Sequence, residues 1–358
     1  MMKKRPHNPG IERIGRVTLA LFILCFGVLC AARLCLAASQ TEHPVPSTLK
    51  PESTPAETIY HLSFLVTAIN VSVFAIVFGL LVYVLLRFGR RAQDPNREPA
   101  QVYGSTQIEL AWTVIPVLIV VILFLATARV IHAIQDARRP ESAVEVTAIG
   151  HQFWWEFRYP KYGVVTANEL HIPVSDPSRP TPTFLKLLSA DTDHSFWIPQ
   201  LAGKTDLIPN RTNEMWMDPR STGVYVGQCA QYCGTQHAKM LLRVTVDTQT
   251  EFDEWIRQQQ KPVASPSMEV AGKHVFESTA CVNCHAIAGT SANGRFGPDL
   301  THLMSRSTIA SGAAENTAES LRLWIQNPDA IKPGSLMPAM KLNESDLDAL
   351  VKYLRTLE

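Results

Sequence analysis

The sequence predicts a multidomain chain: an N-terminal transmembrane α-helical hairpin, an all-β sandwich, and an all-α C-terminal domain. Three observations carry this. Leu62 to Leu86 and Leu110 to Ala128 contain no charged residue and are long enough to cross a bilayer. Between Ser142 and Val246 short alternating runs such as Val144–Ala148 and Leu242–Val246 are separated by Pro- and Gly-bearing turns, the pattern of a sandwich. From about residue 267 onward helical segments flank a C-x-x-C-H motif.

The chain has 358 residues, enough for two or more domains, and a formal net charge of +1, which favours no nucleic-acid partner. Charged residues make up 18% and hydrophobic residues 46%, a balance that leans toward membrane content. Residues 1–16 are basic, Val17 to Ala32 is apolar, and small residues follow at Leu36-Ala37-Ala38-Ser39. Residues 1–38 therefore read as a secretory signal peptide cut near Ala37 or Ala38, the alternative being a short retained anchor. Cys25, Cys30 and Cys35 within it read as small hydrophobes. Residues 39–57, rich in Pro, Ser, Thr and Glu, read as a flexible lead-in to the hairpin segment 39–140.

Pro116 inside the second span is tolerated where neighbouring helices satisfy the freed backbone groups. Arg87, Arg90, Arg91 and Arg97 between the spans favour a cytoplasmic loop, although Arg129, Arg138 and Arg139 follow the second span. Glu109 begins the string Glu109-Leu110-Ala111-Trp112-Thr113-Val114-Ile115-Pro116, where a carboxylate at a membrane boundary either loads protons or is an ordinary interfacial acid.

The stretch Cys229-Ala230-Gln231-Tyr232-Cys233-Gly234-Thr235-Gln236-His237-Ala238-Lys239-Met240 puts two thiols, an imidazole and a thioether within twelve residues, and His194 lies upstream. Thiolate and thioether are soft ligands and imidazole suits copper. The set exceeds what one tetrahedral zinc needs, so it fits two copper ions bridged by both thiolates. A disulfide or a Cys2His2 zinc site is the blander alternative. The aromatic run His151 to Tyr159 reads first as packing. Thr248 to Lys261 reads as an amphipathic helix with Phe252, Trp255 and Ile256 on one face, closing a copper domain of 141–257, and 258–266 reads as a linker.

In Cys281-Val282-Asn283-Cys284-His285 the two thiols can form thioethers to haem vinyl groups and His285 can ligate the iron. Helices are expected near 267–278, 318–325 and 344–357. The string Lys332-Pro333-Gly334-Ser335-Leu336-Met337-Pro338 places a methionine, Met337, in a turn, with a second methionine, Met340, close behind it. A thioredoxin-like pair or half a zinc site is disfavoured, because no βαβ pattern surrounds the motif and no second cysteine pair follows it.

The Cys229–Met240 loop resembles the binuclear copper loop of cytochrome c oxidase subunit II, and the Glu109–Pro116 string is similar to the same family. Residues 267–358 resemble a small class I cytochrome c. The resemblance implies a cupredoxin fold for the sandwich, copper ligation by His194, Cys229, the Gln231 carbonyl, Cys233, His237 and Met240, and one covalent haem c on Cys281, Cys284, His285 and Met337. The family's usual glutamate is Gln231 here, so copper ligation by its carbonyl is implied, while the carboxylate that helps hold magnesium is missing. The family's tryptophan that receives electrons from soluble cytochrome c is Phe153 here, followed by Trp154 and Trp155. Glu109 would mark the mouth of a proton pathway, and the string around Asp206 would face the catalytic subunit, where Asp206 has either a solvated or interface salt-bridge role or a proton role.

The implied function is the subunit through which electrons enter a terminal oxidase. They would pass from a soluble cytochrome c or a quinol-oxidising complex, through haem c and the binuclear copper, to subunit I, which reduces oxygen to water with proton pumping in the complex. The implied setting is a bacterial-type plasma membrane with subunit I and subunit III, both cofactor domains outside the cytoplasm. Two rivals are a copper-containing nitric oxide reductase subunit and a membrane-tethered copper carrier, the latter disfavoured by the C-x-x-C-H motif.

Overall fold

The computed structural model describes residues 44–88, 101, 103–176, 181–262 and 270–358. The expected signal peptide, most of the basic inter-span loop and the stretch 263–266 of the expected linker lie outside the described residues. The chain divides into two compact units, one of residues 1–44 and 63–124, the other of residues 45–62 and 125–358.

The first unit holds most of two long helices, α1 (Thr54–Arg87) and α2 (Thr106–Gln135). Both are long and apolar enough to cross a membrane, and their apolar side chains are exposed rather than packed in a core. At a rise of about 1.5 Å per residue each outspans a hydrocarbon layer of about 30 Å. Pro116 sits inside α2, and Glu109 lies exposed in its first turn.

The second unit begins where the expected flexible lead-in gives way to paired chain. Glu52 N donates to Gln200 O and Arg220 N to Glu52 O, at 2.8 and 2.9 Å. The N-terminus of α1 is capped by Asp218, which accepts from Thr54 N at 2.7 Å and from Ser53 Oγ at 2.7 Å. A carboxylate there satisfies orphan N–H groups and complements the helix dipole. The helix therefore starts at Thr54, eight residues before the apolar run, because its first turn is fixed by the sandwich.

Ten strands form two five-stranded sheets. The strands are β1 (Val144–His151), β2 (Trp154–Tyr159), β3 (Val164–Ala167), β4 (Glu169–Pro173) and β5 (Thr183–Ser189). They continue with β6 (His194–Trp197), β7 (Thr205–Leu207), β8 (Asn213–Met217), β9 (Gly223–Cys229) and β10 (Leu241–Asp247). One sheet runs β3-β2-β1-β5-β8 and the other β4-β10-β9-β6-β7. The β1–β5 and β4–β10 pairs are parallel and the other ladders antiparallel. Side chains from both sheets fill one core around Trp155, Phe157, Tyr159 and Phe196.

Helix α3 (Gln249–Gln259) closes the core from below. Thr248 caps it in a reciprocal box with Glu251, and Phe252, Trp255 and Ile256 are buried. Because α3 continues to Gln259, the first residues of the expected linker are helical.

The remaining described chain carries five helices, α4 (Val270–Ser278), α5 (Cys281–Cys284), α6 (Ala318–Gln326), α7 (Pro328–Ile331) and α8 (Glu344–Leu354), joined by loops and one short antiparallel ladder of Thr308–Ile309 with Ala314–Glu315. Gly272 lets α4 approach α8 closely, since a Cβ there would lie 2.1 Å from Ala349 O. A second core gathers Phe276, Leu321, Ile325, Leu347 and Leu350.

Candidate metal and haem sites

Strand pairing assembles the first site. His194 opens β6, Cys229 ends β9, and Phe196 of β6 pairs with Cys229. The chain then turns through Cys233 and His237 and re-enters the sheet after Met240, which opens onto β10. Gly234 has φ +130°, and a Cβ there would lie 3.0 Å from the Phe153 ring, so this turn needs glycine twice over.

The donor atoms converge. Cys229 Sγ lies 3.9 Å from His194 Nδ1 and 3.9 Å from Cys233 Sγ. Cys233 Sγ lies 3.8 Å from His237 Nδ1 and 3.9 Å from Met240 Sδ. Cys229 Sγ is 3.1 Å from Gln231 O. A sulfur separation of 3.9 Å excludes a disulfide, whose bond is about 2.05 Å. The ligand atoms of His194, Cys229 and Cys233 lie within 4.8 Å of one another, close enough to hold a metal ion. His194, Cys229, Cys233 and Met240 are buried, His237 is half-buried and Gln231 exposed.

The electrostatics prepare this set for a cation. The Cys229 thiol is pushed well below its usual range because Cys233 donates to it, with burial opposing and His194 assisting; Cys233 is raised in return. A thiolate is the ligating form. Asp191 Oδ1 sits 2.8 Å from His194 Nε2, which fixes the ring with Nδ1 toward the sulfurs. Burial works against Asp191's charge, but the bonds from His194, Gln152 N and Thr192 N outweigh it and lower its pKa. This partner was not legible in the sequence; its place three residues before His194 is the only local signal.

The second site is a cavity of ≈ 680 Å³ lined by Cys281, Cys284, His285, Met337 and Met340 among others. His285 Nδ1 lies 2.8 Å from Pro298 O, which holds the ring's orientation through that nitrogen. A Cβ on Gly297 would lie 2.5 Å from His285 Cε1, so only glycine lets the Gly297–Pro298 turn close over the imidazole. Burial lowers the His285 pKa, which favours the neutral ring that a ligand requires. The cavity size and a mostly apolar surface from side chains such as Phe276, Leu300, Leu303, Leu321 and Trp324 fit a large cofactor. Arg306 adds a buried cation to the wall, and its Nε has no hydrogen-bond partner among the described residues. Met337 and Met340 both line the cavity, so both sequence candidates reach it.

The two sites share a wall. Phe153 and Trp154 of the sandwich line the same cavity, and Phe153 also packs on Gly234 of the copper loop. Lys332 Nζ donates to Phe153 O at 2.7 Å, Gln236 Nε2 to Lys332 O at 3.0 Å, Lys239 Nζ to Ile331 O at 2.9 Å and Trp154 Nε1 to Phe296 O at 3.3 Å. Burial lowers the Lys332 pKa to about 7. Trp155 is instead core, edge-on to His194 at 6.1 Å. Glu109 belongs to the first unit and Asp206 is exposed in β7.

These features define a class: a two-helix membrane protein carrying a cupredoxin-like domain with a soft-metal donor set and a C-terminal cytochrome c domain. Family comparison gives the same division. Residues 43–130 match the transmembrane domain and residues 177–247 the periplasmic domain of cytochrome c oxidase subunit II, and residues 269–358 match cytochrome c. The chain is 35% identical to cytochrome c oxidase subunit 2 of Alkalihalophilus pseudofirmus, over 87% of this chain and 90% of that one. The Bacillus sp. strain PS3 subunit is also 35% identical, over 88% and 92%. That of Bacillus subtilis is 32% identical, over 92% and 97%. The chain belongs to the cytochrome c oxidase subunit II family, with a cytochrome c domain at its C-terminus. The family membership implies copper in the sandwich and haem in the tail.

Proposed function

We propose that this chain is the subunit through which electrons enter a terminal cytochrome c oxidase, taking them from an external donor at one haem c, passing them to a binuclear copper centre and delivering them to subunit I for reduction of oxygen. The observation that carries this reading is the pair of donor sets on one chain, meeting across the wall made by Phe153. His194, Cys229, the Gln231 carbonyl, Cys233, His237 and Met240 would hold the copper ions; Cys281, Cys284, His285 and Met337 would hold the haem. Bound there, the two groups supply one-electron acceptors and donors of the soft-ligand and His/Met types.

The chain's own residues do the rest. Asp191 orients His194, Pro298 O orients His285, and the packed sandwich keeps water from the buried sulfurs. Rigid ligands limit rearrangement when charge changes, which is what a transfer site needs. Because thioether attachment and a dithiol copper loop suit an extracytoplasmic setting, both domains lie outside the membrane's cytoplasmic face in this proposal, with α1 and α2 crossing it. Subunit I and subunit III are the proposed partners, a soluble cytochrome c or a quinol-oxidising complex the donor. Glu109 at the start of α2 is the proposed mouth of a proton pathway into subunit I. With Gln231 exposed and uncharged, magnesium has no carboxylate at this position.

The test is metal and haem analysis with optical and electron-paramagnetic spectra on the purified complex. Two coppers with a delocalised mixed-valence signal and one covalent haem per chain are expected. One zinc or one copper and no covalent haem would overturn the reading.

A further inference from the structure

Away from the donor atoms, the cytochrome domain is gripped by one buried acid of the sandwich. Glu169 opens β4 and is 4% exposed. Its Oε1 accepts from Ser307 Oγ at 2.8 Å, Thr308 N at 2.8 Å and Thr308 Oγ1 at 2.5 Å, and its Oε2 from Ser307 N at 2.9 Å. An ionised carboxylate offers about four acceptor sites, and here it accepts four hydrogen bonds, three on Oε1 and one on Oε2. A buried carboxylate without such partners would carry a large desolvation cost, so this is a built contact rather than a solvated surface pair.

Its place in the fold gives the contact meaning. Glu169 pairs with Arg243 in the parallel β4–β10 ladder, three residues beyond Met240 of the copper loop. On the other side, Ser307 directly follows Arg306, the cation in the haem-cavity wall. Burial lowers the Arg306 pKa, and the Asp299 and Glu169 carboxylates offset part of that. The turn that follows is held in an unfavourable shape: Ala310 and Ser311 have φ of 54° and 59°. Ser311 Oγ is fastened to Leu241 O at 2.8 Å, on the strand that leaves the copper loop.

We propose that Glu169 is a positioning residue for electron transfer within the chain: its carboxylate fixes the Ser307–Thr308 turn, and with it the Arg306 wall of the haem cavity, against the strand that leaves the copper loop. This rests on the electron-transfer reading above and adds to it that the cytochrome domain works seated, not as a mobile arm.

The experiment uses the full chain in the assembled oxidase, with Glu169→Ala, Glu169→Gln, the double variant Ser307→Ala/Thr308→Ala, and Glu315→Gln as an exposed control on the same domain. Haem optical and copper electron-paramagnetic spectra are recorded first, then hydrogen exchange across 305–312 and the haem-to-copper transfer rate after flash reduction. Glu169→Ala should keep both spectra, raise exchange across 305–312 by about tenfold or more, and slow transfer by a similar factor, since two backbone and two hydroxyl donors lose a charged acceptor. Glu169→Gln and the double variant should fall between it and the wild type, and Glu315→Gln should match the wild type. Wild-type exchange and transfer in Glu169→Ala would overturn the proposal; if that variant fails to assemble, wild-type behaviour of the double variant would do so. A wild-type complex lacking covalent haem or mixed-valence copper would refute the electron-transfer reading instead, and exchange would still report whether Glu169 seats the domain.

Discussion

His194, Cys229, Cys233, His237 and Met240 are linked in a chain of contacts of 3.8–3.9 Å, whereas Cys281, Cys284, His285 and Met337 are spread around a cavity of ≈ 680 Å³. In the first set His194 and Cys229 stand at the ends of β6 and β9 and Met240 just before β10, where ladder hydrogen bonds fix the backbone, and the short turn they anchor carries Cys233 and His237. The second set stands on a four-residue helix and on loops, and only His285 is tied down through its side chain to a backbone carbonyl. The sandwich also has the larger core, filled by aromatic side chains from both sheets. In the cytochrome domain Leu300, Trp324, Met337 and Met340 are only partly buried and face the cavity. A site made by strand pairing has its donors assembled by the fold; a site made by loops depends on a cofactor to complete its core.

That difference can be broken in a graded way. The largest effect is expected from Cys281→Ser/Cys284→Ser, which should abolish covalent haem and lower the unfolding midpoint of the cytochrome domain, while the copper signal stays; calorimetry and haem staining read both. Next comes Cys229→Ser or Cys233→Ser, which should remove the mixed-valence copper signal with little change in sandwich unfolding and none in haem optics. Seven-line copper hyperfine structure persisting in the double serine variant would refute the ligand assignment. Met337→Ala should lose His/Met haem optics with haem still attached; the same loss on Met340→Ala alone would reverse the axial choice. Gly297→Ala should shift His285 off Pro298 O at a cost of about 1–3 kcal/mol, read as a lower unfolding midpoint and altered haem spectrum. The smallest effect is expected from Asp191→Asn, which should weaken copper binding by about 10–100-fold while leaving the haem spectrum alone.

Much of this was legible in the sequence where a local rule applies. The charge-free runs at 62–86 and 110–128 lie within α1 and α2, and Phe252, Trp255 and Ile256 are the buried face of α3. The donors from Cys229 to Met240 share one short loop, so spacing alone proposed the site. What was not legible depends on contacts far apart in sequence. Glu169 meets Ser307 and Thr308 across 138 and 139 positions, and Lys332 meets Phe153 across 179. The parallel β1–β5 and β4–β10 pairs leave no turn signature between their strands. The end of the lead-in is hidden for the same reason: Ser53 and Glu52 read as linker residues, and only the distant Asp218 and Arg220 give them partners.

The central claim, that electrons pass between two sites within one chain, is tested most directly by flash-reducing the haem in the purified complex and following the copper absorbance. Transfer at a rate independent of protein concentration and of added soluble cytochrome c is the expected result. A rate that rises in proportion to either would show that the copper site is fed from outside the chain and would contradict the account.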